Sequence, residues 1–239
     1  MRTFSMTDVG KIRQVNQDYI FTSENPVGKL PNLFIVADGM GGHNAGDFAS
    51  RYTVETVVDA IKNSDETETI AIIRGAIEET NRKLIEKANE DVRLSGMGTT
   101  IVLCTIDGDE ACVANVGDSR LYLLGDKITQ ITKDHSWVEE MVKKGELTES
   151  QARIHPQKNI ITRALGIDEV VHADYFEIDV KPDDKILMCS DGLTNMVEDE
   201  DIEYIIRHSS SIEKAVENLV EKANENGGKD NITVILVQI

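Results

Sequence analysis

The chain has 239 residues, 40% of them hydrophobic, with 43 acidic against 25 basic side chains and a net charge of −18. Nucleic acid and anionic membrane both require a basic footprint, so neither is an expected partner. No apolar run approaches the ~20 residues of a membrane span and Met1–Asp8 lacks a signal-peptide apolar region, so the expected location is the cytoplasm.

Strand-like runs come first: Thr3–Thr7, Tyr19–Thr22 and Leu33–Ala37. A helix is predicted over Ala45–Ile61 with Asn44 as its N-cap. A second is predicted over Ile70–Asn89, where Ile73, Ala76, Ile77, Leu84 and Ala88 share a face. A meander of four strands should follow. Thr99–Ile106 and Ala111–Val116 flank Asp107-Gly108-Asp109, and Arg120–Leu124 and Lys127–Ile131 flank Gly125-Asp126. Both separators are hairpin chemistry, because Gly and Asp tolerate positive φ. Residues 136–163 are charged and only weakly helical, over Trp137–Lys144 and Thr148–Arg153. They read as a flap beside a site. Two more strands, Ala173–Val180 and Lys185–Cys189, lead to a short helix with Glu198, Asp199, Glu200 and Asp201 at its start and Arg207 at its end. That polarity suits the helix dipole. A last helix over Ser211–Glu225, with Ser210 and Glu213 as a capping box, precedes a buried strand.

Hairpins combined with two pairs of helices predict an α+β fold: a layered α-β-β-α sandwich, two antiparallel sheets face to face with a helix pair on each outer face. With four prolines and no Pro/Ser-rich linker, residues 1–239 read as one domain. Cys104, Cys112 and Cys189 each lie in an apolar run without Cys-x-x-Cys spacing, and read as small buried hydrophobes.

The chemistry concentrates where these runs end. Leu33–Ala37 meets Asp38-Gly39, Ala111–Val116 meets Gly117-Asp118, Ile186–Ser190 meets Asp191-Gly192, and Asp230-Asn231 precedes the last strand. Taken singly, a pair such as Asp38-Gly39 reads more readily as a turn than as a ligand. Carboxylates gathered on one rim of a sheet core repel unless cations neutralise them, and hard divalent cations take oxygen ligands.

Six motifs stand in order: Arg13-Gln14-Val15-Asn16-Gln17-Asp18, Asp38-Gly39-Met40-Gly41-Gly42-His43, Gly98-Thr99-Thr100, Gly117-Asp118-Ser119-Arg120, Ser190-Asp191-Gly192-Leu193 and Lys229-Asp230-Asn231-Ile232-Thr233. Together they closely resemble the bacterial branch of the type 2C, metal-dependent serine/threonine protein phosphatases. The resemblance implies two Mn²⁺ or Mg²⁺ ions and a third, looser one. It implies Asp38 as the shared bridge, Asp191 and Asp230 on the first ion, and the Gly39 carbonyl with Asp18 on the second. Asp118 joins Asp191 on the third. It further implies Arg13 as the phosphate clamp and direct attack on phosphorus by a metal-bridging hydroxide. Expected partners are phosphoproteins, among them a Ser/Thr kinase and its substrates, and the heavy negative charge favours a monomer.

Two departures matter. Met40 stands where eukaryotic relatives carry a histidine thought to act as general acid, which leaves His43 or a metal-bound water as candidates for the proton. Gln17 stands where many relatives carry glutamate, so less charge reaches the second ion. His135 also matches the family pattern, with no chemical role evident from the sequence. The rival readings are another two-metal hydrolase such as a nuclease, disfavoured by the acidic balance, and a catalytically silent metal-binding or kinase-docking module.

Overall fold

The computed structural model describes residues 1–42 and 45–239. The first layer of strands contains β2 (Asp18–Ser23), β3 (Leu33–Met40), β5 (Ile101–Asp107), β6 (Glu110–Val116) and β9 (Asp174–Asp179), hydrogen-bonded in that order, with the short β4 (Gly98–Thr99) on β3. The second contains β1 (Arg2–Asp8), β11 (Ile232–Gln238), β10 (Lys185–Cys189), β7 (Arg120–Leu124) and β8 (Ile128–Gln130), again in that order. All of these pairings are antiparallel.

Strand periodicity builds the layers. In β3, Phe34 and Val36 face the space between the sheets, while Leu33, Ile35 and Ala37 face outward. In β11, Ile235 and Val237 face inward and Ile232, Val234 and Leu236 outward. Both faces of each sheet are therefore buried. The outer face of the first is covered by α1 (Ala45–Lys62) and α2 (Thr69–Glu90), through Val54, Val57, Ile61, Ile73, Ile77 and Leu84. The outer face of the second is covered by α6 (Asp199–His208) and α7 (Ile212–Glu225), through Ile202, Ile206, Val216 and Leu219. The α-β-β-α sandwich is as the residues predict.

The four-strand meander is not. The chain changes sheet at Gly117–Ser119, so β5–β6 and β7–β8 are hairpins of opposite layers. The unbroken apolar run of β6 buries Ala111 and Val113 between the sheets and Cys112, Ala114 and Val116 under the helices. Such a two-sided strand carries no single polar face to announce which neighbour it takes. Gly108 does adopt φ +61°, but neither Gly125 nor Asp126 has positive φ, and Leu124 pairs with Ile128 across a three-residue loop rather than the two-residue turn predicted. The cap of α7 is Ser211, whose hydroxyl accepts from the Lys214 amide, one residue later than predicted. Asn44, the predicted cap of α1, lies outside the described residues.

Between β8 and β9 the chain makes the expected flap. It holds α3 (Trp137–Lys143), capped by Ser136, and α4 (Glu149–Arg153), capped by Thr148 in a capping box with Gln151. Its two ends are tied together by a bridge between Ser136 and Ile161 and by the Trp137 amide donating to the Ile160 carbonyl. A further short helix absent from the sequence reading, α5 (Asp191–Thr194), directly follows β10. Among the described residues no helix is long and apolar enough to cross a membrane.

Candidate active site

Asp18 and Asp38 stand directly opposite each other in the β2–β3 ladder. Period 2 places Asp38 on the same face as Val36, so both acids cap the inter-sheet core at one end of the sandwich. Like charges directly opposite are destabilising, and here they are also desolvated. Asp18 is only 5% exposed. Burial raises its carboxyl to about 6; hydroxyls of Thr233 and Ser190 oppose the rise and Asp230 adds to it. Burial also holds the Asp38 carboxyl well above the usual carboxylate range, with Asp18, Asp191, Asp118 and Asp230 adding like charge.

The other sheet supplies the facing wall. Ser190 follows β10, and its hydroxyl donates across the sandwich to Asp18 Oδ2 over 2.7 Å. The Ser190 hydroxyl oxygen in turn accepts from the Thr233 amide at 3.1 Å. Asp191 then opens α5, where Asn195 Nδ2 donates to its Oδ2 over 2.8 Å. A Cβ on Gly192 would lie 1.8 Å from the Asn231 carbonyl oxygen, so only glycine lets α5 press on the segment carrying Asp230. Burial raises the Asp191 carboxyl well above its ordinary value, followed by the charges of Asp118, Asp230 and Asp18. Asp118 is pushed up to about 7 by burial, then by the charge of Asp134 and, less, by that of Asp230. It shares with Asp191 the wall of a cavity of about 650 Å³ under the flap, which Glu139, Arg153 and Lys158 also line.

Asn231 ties the loops of this rim. Its Nδ2 donates to the carbonyls of Val9 (3.0 Å) and Val15 (3.1 Å), and its Oδ1 accepts from the Gln17 amide (2.8 Å). That stitching holds the loop bearing Arg13 against Asp230, and Arg13 Nη2 donates to Asp230 Oδ2 over 2.7 Å. The guanidinium is half exposed. Its pKa is raised by the Asp230 bond and by the nearby charges of Asp230, Asp38 and Asp191. Gly39 sits where β3 runs against the first turn of α1: a Cβ there would lie 2.0 Å from the Gly46 carbonyl oxygen. The Asp38 carbonyl accepts from the Thr100 amide and the Thr99 hydroxyl, both at 2.9 Å.

Asp18, Asp38, Asp118, Asp191, Asp230 and Arg13 thus converge on one end of the sandwich, and Gly39 adjoins them. His43 lies outside the described residues. Among the described residues, no three acidic, His or Cys side chains already close on one point. Asp18 Oδ1 and Asp191 Oδ1 are nevertheless buried without a hydrogen-bond partner. Mutually repelling carboxylates with orphaned oxygens suit hard cations in both donor type and charge. Sequence reasoning gave no role to Asn231, Ser190 or Thr100. The available signal was a polar residue embedded beside an apolar strand, which needs a buried partner.

A model of the family described as protein phosphatase 2C matches residues 11–236. The chain belongs to the protein phosphatase 2C family. Membership carries the activity of a protein phosphatase. This protein phosphatase 2C chain is 42% identical over 239 residues to the serine/threonine phosphatase Stp of Listeria innocua, covering 97% of itself and 93% of that protein. Its fold matches a solved serine/threonine phosphatase of S. agalactiae with a TM-score of 0.91 and 40% identity, over 100% of this chain and 99% of the other. It also matches the catalytic domain of the phosphatase PstP, solved with two manganese ions, with a TM-score of 0.87 and 31% identity, over 99% of this chain and 97% of that one.

Proposed function

We propose that the whole chain acts as one domain that removes phosphate from phosphoserine and phosphothreonine of proteins, using Mn²⁺ or Mg²⁺, in opposition to Ser/Thr kinases of the same cytoplasm and as a monomer. The observation that carries the reading is the meeting of acids from both sheets at one rim. Asp18, Asp38 and Asp191 are each desolvated there and repelled by neighbouring carboxylates. Phosphate monoester hydrolysis is among the slowest uncatalysed reactions, so its site must supply a large barrier reduction.

Asp38 is central, since its carboxyl feels all four other acids, which supports reading it as the carboxylate that two ions would share. Asp191 and Asp230 would hold one ion, Asp18 and the Gly39 carbonyl a second, and Asp118 with Asp191 a third, looser one. Such ions, when bound, acidify a water for attack on phosphorus and neutralise the phosphoryl oxygens. Ser190 and Asn195 fix the orientation of Asp18 and Asp191 through one carboxylate oxygen each, leaving the other oxygen free to ligate. Arg13, with its guanidinium half exposed at the mouth, is placed to give two parallel hydrogen bonds to a phosphoryl group. The state of the thiols argues against a cysteine nucleophile. All three are buried, and burial raises Cys112 to about 11 and the other two further, against the lowered pKa that a reactive thiolate requires.

The test is hydrolysis of p-nitrophenyl phosphate and a phosphothreonine peptide by the purified chain. Turnover with Mn²⁺ that disappears in EDTA is expected. Metal binding without turnover of either substrate would instead make the protein a silent docking module.

A further inference from the structure

Asp118 and His135 are separated by two strands, yet the backbone beside Asp118 meets the His135 ring. The Gly117 amide donates to His135 Nδ1 over 3.1 Å, and the His135 amide donates to the Gly117 carbonyl over 2.9 Å. A ring nitrogen that accepts carries no hydrogen, so in a neutral imidazole Nε2 is the protonated position. Nε2 faces Asp174 Oδ2 at 3.1 Å and donates to it. Arg163 Nη1 stands 3.2 Å from Nε2 and donates to the other Asp174 oxygen over 2.9 Å. The residue is 4% exposed. Burial lowers its pKa against the opposing Asp174 bond, in keeping with a neutral ring.

On its other side the same residue anchors the flap. The His135 carbonyl accepts from the Thr162 amide over 2.8 Å, immediately before the Ser136–Ile161 bridge and the Trp137–Ile160 bond. The turn it holds is tightly constrained elsewhere too. Gly117 has φ +109°, and a Cβ there would lie 2.5 Å from Thr100 Cγ2.

We propose that His135 is a positioning residue: its Nδ1 fixes the Gly117–Asp118 turn, and so the aim of the Asp118 carboxylate, in register with the base of the flap. The inference rests on the reading of Asp118 as a ligand of the loosest cation. Groups that orient a ligand typically cost about 10–100-fold in metal affinity when removed, and here the loss should fall on that cation alone.

Two isosteres separate the two ring nitrogens. Asparagine places Oδ1 two bonds beyond Cβ, where imidazole has Nδ1; glutamine places its amide nitrogen near Nε2. The experiment uses the full chain, with Mn²⁺ titrated by calorimetry and amide exchange read at Gly117. His135→Asn should keep slow exchange at Gly117 and the wild-type titration. His135→Gln and His135→Ala should speed that exchange and weaken the loosest Mn²⁺ site by about tenfold, leaving the tighter sites unchanged. The fluorescence of Trp137, the chain's single tryptophan, should change on filling the loosest site in the wild type and in His135→Asn, and lose that change in His135→Gln. Wild-type exchange at Gly117 in His135→Gln would overturn the proposal, as would equal weakening of every Mn²⁺ site alongside a fall in Tm. Should Asp118→Asn retain every Mn²⁺ site, the ligand reading of Asp118 fails instead. Gly117 exchange then decides the positioning role alone: faster in Gln than in Asn upholds it, equal rates overturn it.

Discussion

Asp18→Asn should make the metal-free protein more stable, although it removes a residue of the site. Asp18 is buried and ionises against burial and the charge of Asp230, so its carboxyl rises from 3.8 to about 6. At about 1.36 kcal/mol per pH unit, the ionised form costs the folded state about 3 kcal/mol. The sign follows from the direction. A carboxyl raised on folding contributes its full stability below the unfolded pKa of about 3.9 and loses it as pH rises through about 6. Asparagine carries no such penalty. Its Oδ1 can still accept from Ser190, and its amide nitrogen takes the place of the unpartnered Asp18 Oδ1, on the residue opposite Asp38 in the ladder. In EDTA at pH 8 the variant should therefore gain about 3 kcal/mol, which for a chain of this size is about 6–12 °C in Tm. At pH 5 the gain should fall to about half, and it should nearly vanish by pH 4. Excess Mn²⁺ should reverse the order, because the wild type gains binding energy that the variant has lost. Thermal unfolding at three pH values, with EDTA and with Mn²⁺, reads all of this. A variant less stable than wild type in EDTA at pH 8, or a gain independent of pH, would refute the reasoning.

Gly192→Ala should abolish turnover and weaken Mn²⁺ binding, since its Cβ would lie 1.8 Å from the Asn231 carbonyl oxygen and α5 would carry Asp191 away from Asp230; wild-type titration and activity would contradict that packing. Arg13→Ala should raise KM for phosphopeptides more than it alters Mn²⁺ affinity, and the opposite split would reassign the side chain from phosphate to Asp230. Phe34→Ala, which empties a fully buried site between the sheets, should cost about 3–5 kcal/mol in urea unfolding; a change under 1 kcal/mol would show that the two sheets do not share that core.

The layers were legible because a continuous apolar run as short as Leu33–Ala37 reads as a strand buried on both faces, while Ile212–Ala223 carries its apolar residues at helical spacing. Asp38, Asp118, Asp191 and Asp230 were legible as candidates because each stands at or next to the end of an apolar run, and Asp18 only because six motifs stand together in order. The change of sheet at Gly117–Ser119 was not. A turn of glycine and aspartate looks alike whether the chain doubles back within a layer or passes to the next. The facing of Asp18 and Asp38 was hidden for a related reason: register belongs to the pairing of two strands and is written in neither alone. Asn231 and His135 escaped because each bonds mainly to the backbone of a loop distant in sequence, which leaves no periodic trace.

An anomalous-scattering map from Mn²⁺-soaked crystals tests the central claim most directly. It should show two strong peaks about 3.5–4 Å apart, with the Asp38 carboxylate between them and Asp191 and Asp230 around one. Manganese bound elsewhere, with Asp38, Asp191 and Asp230 free of it in an enzyme that still hydrolyses phosphothreonine, would contradict it.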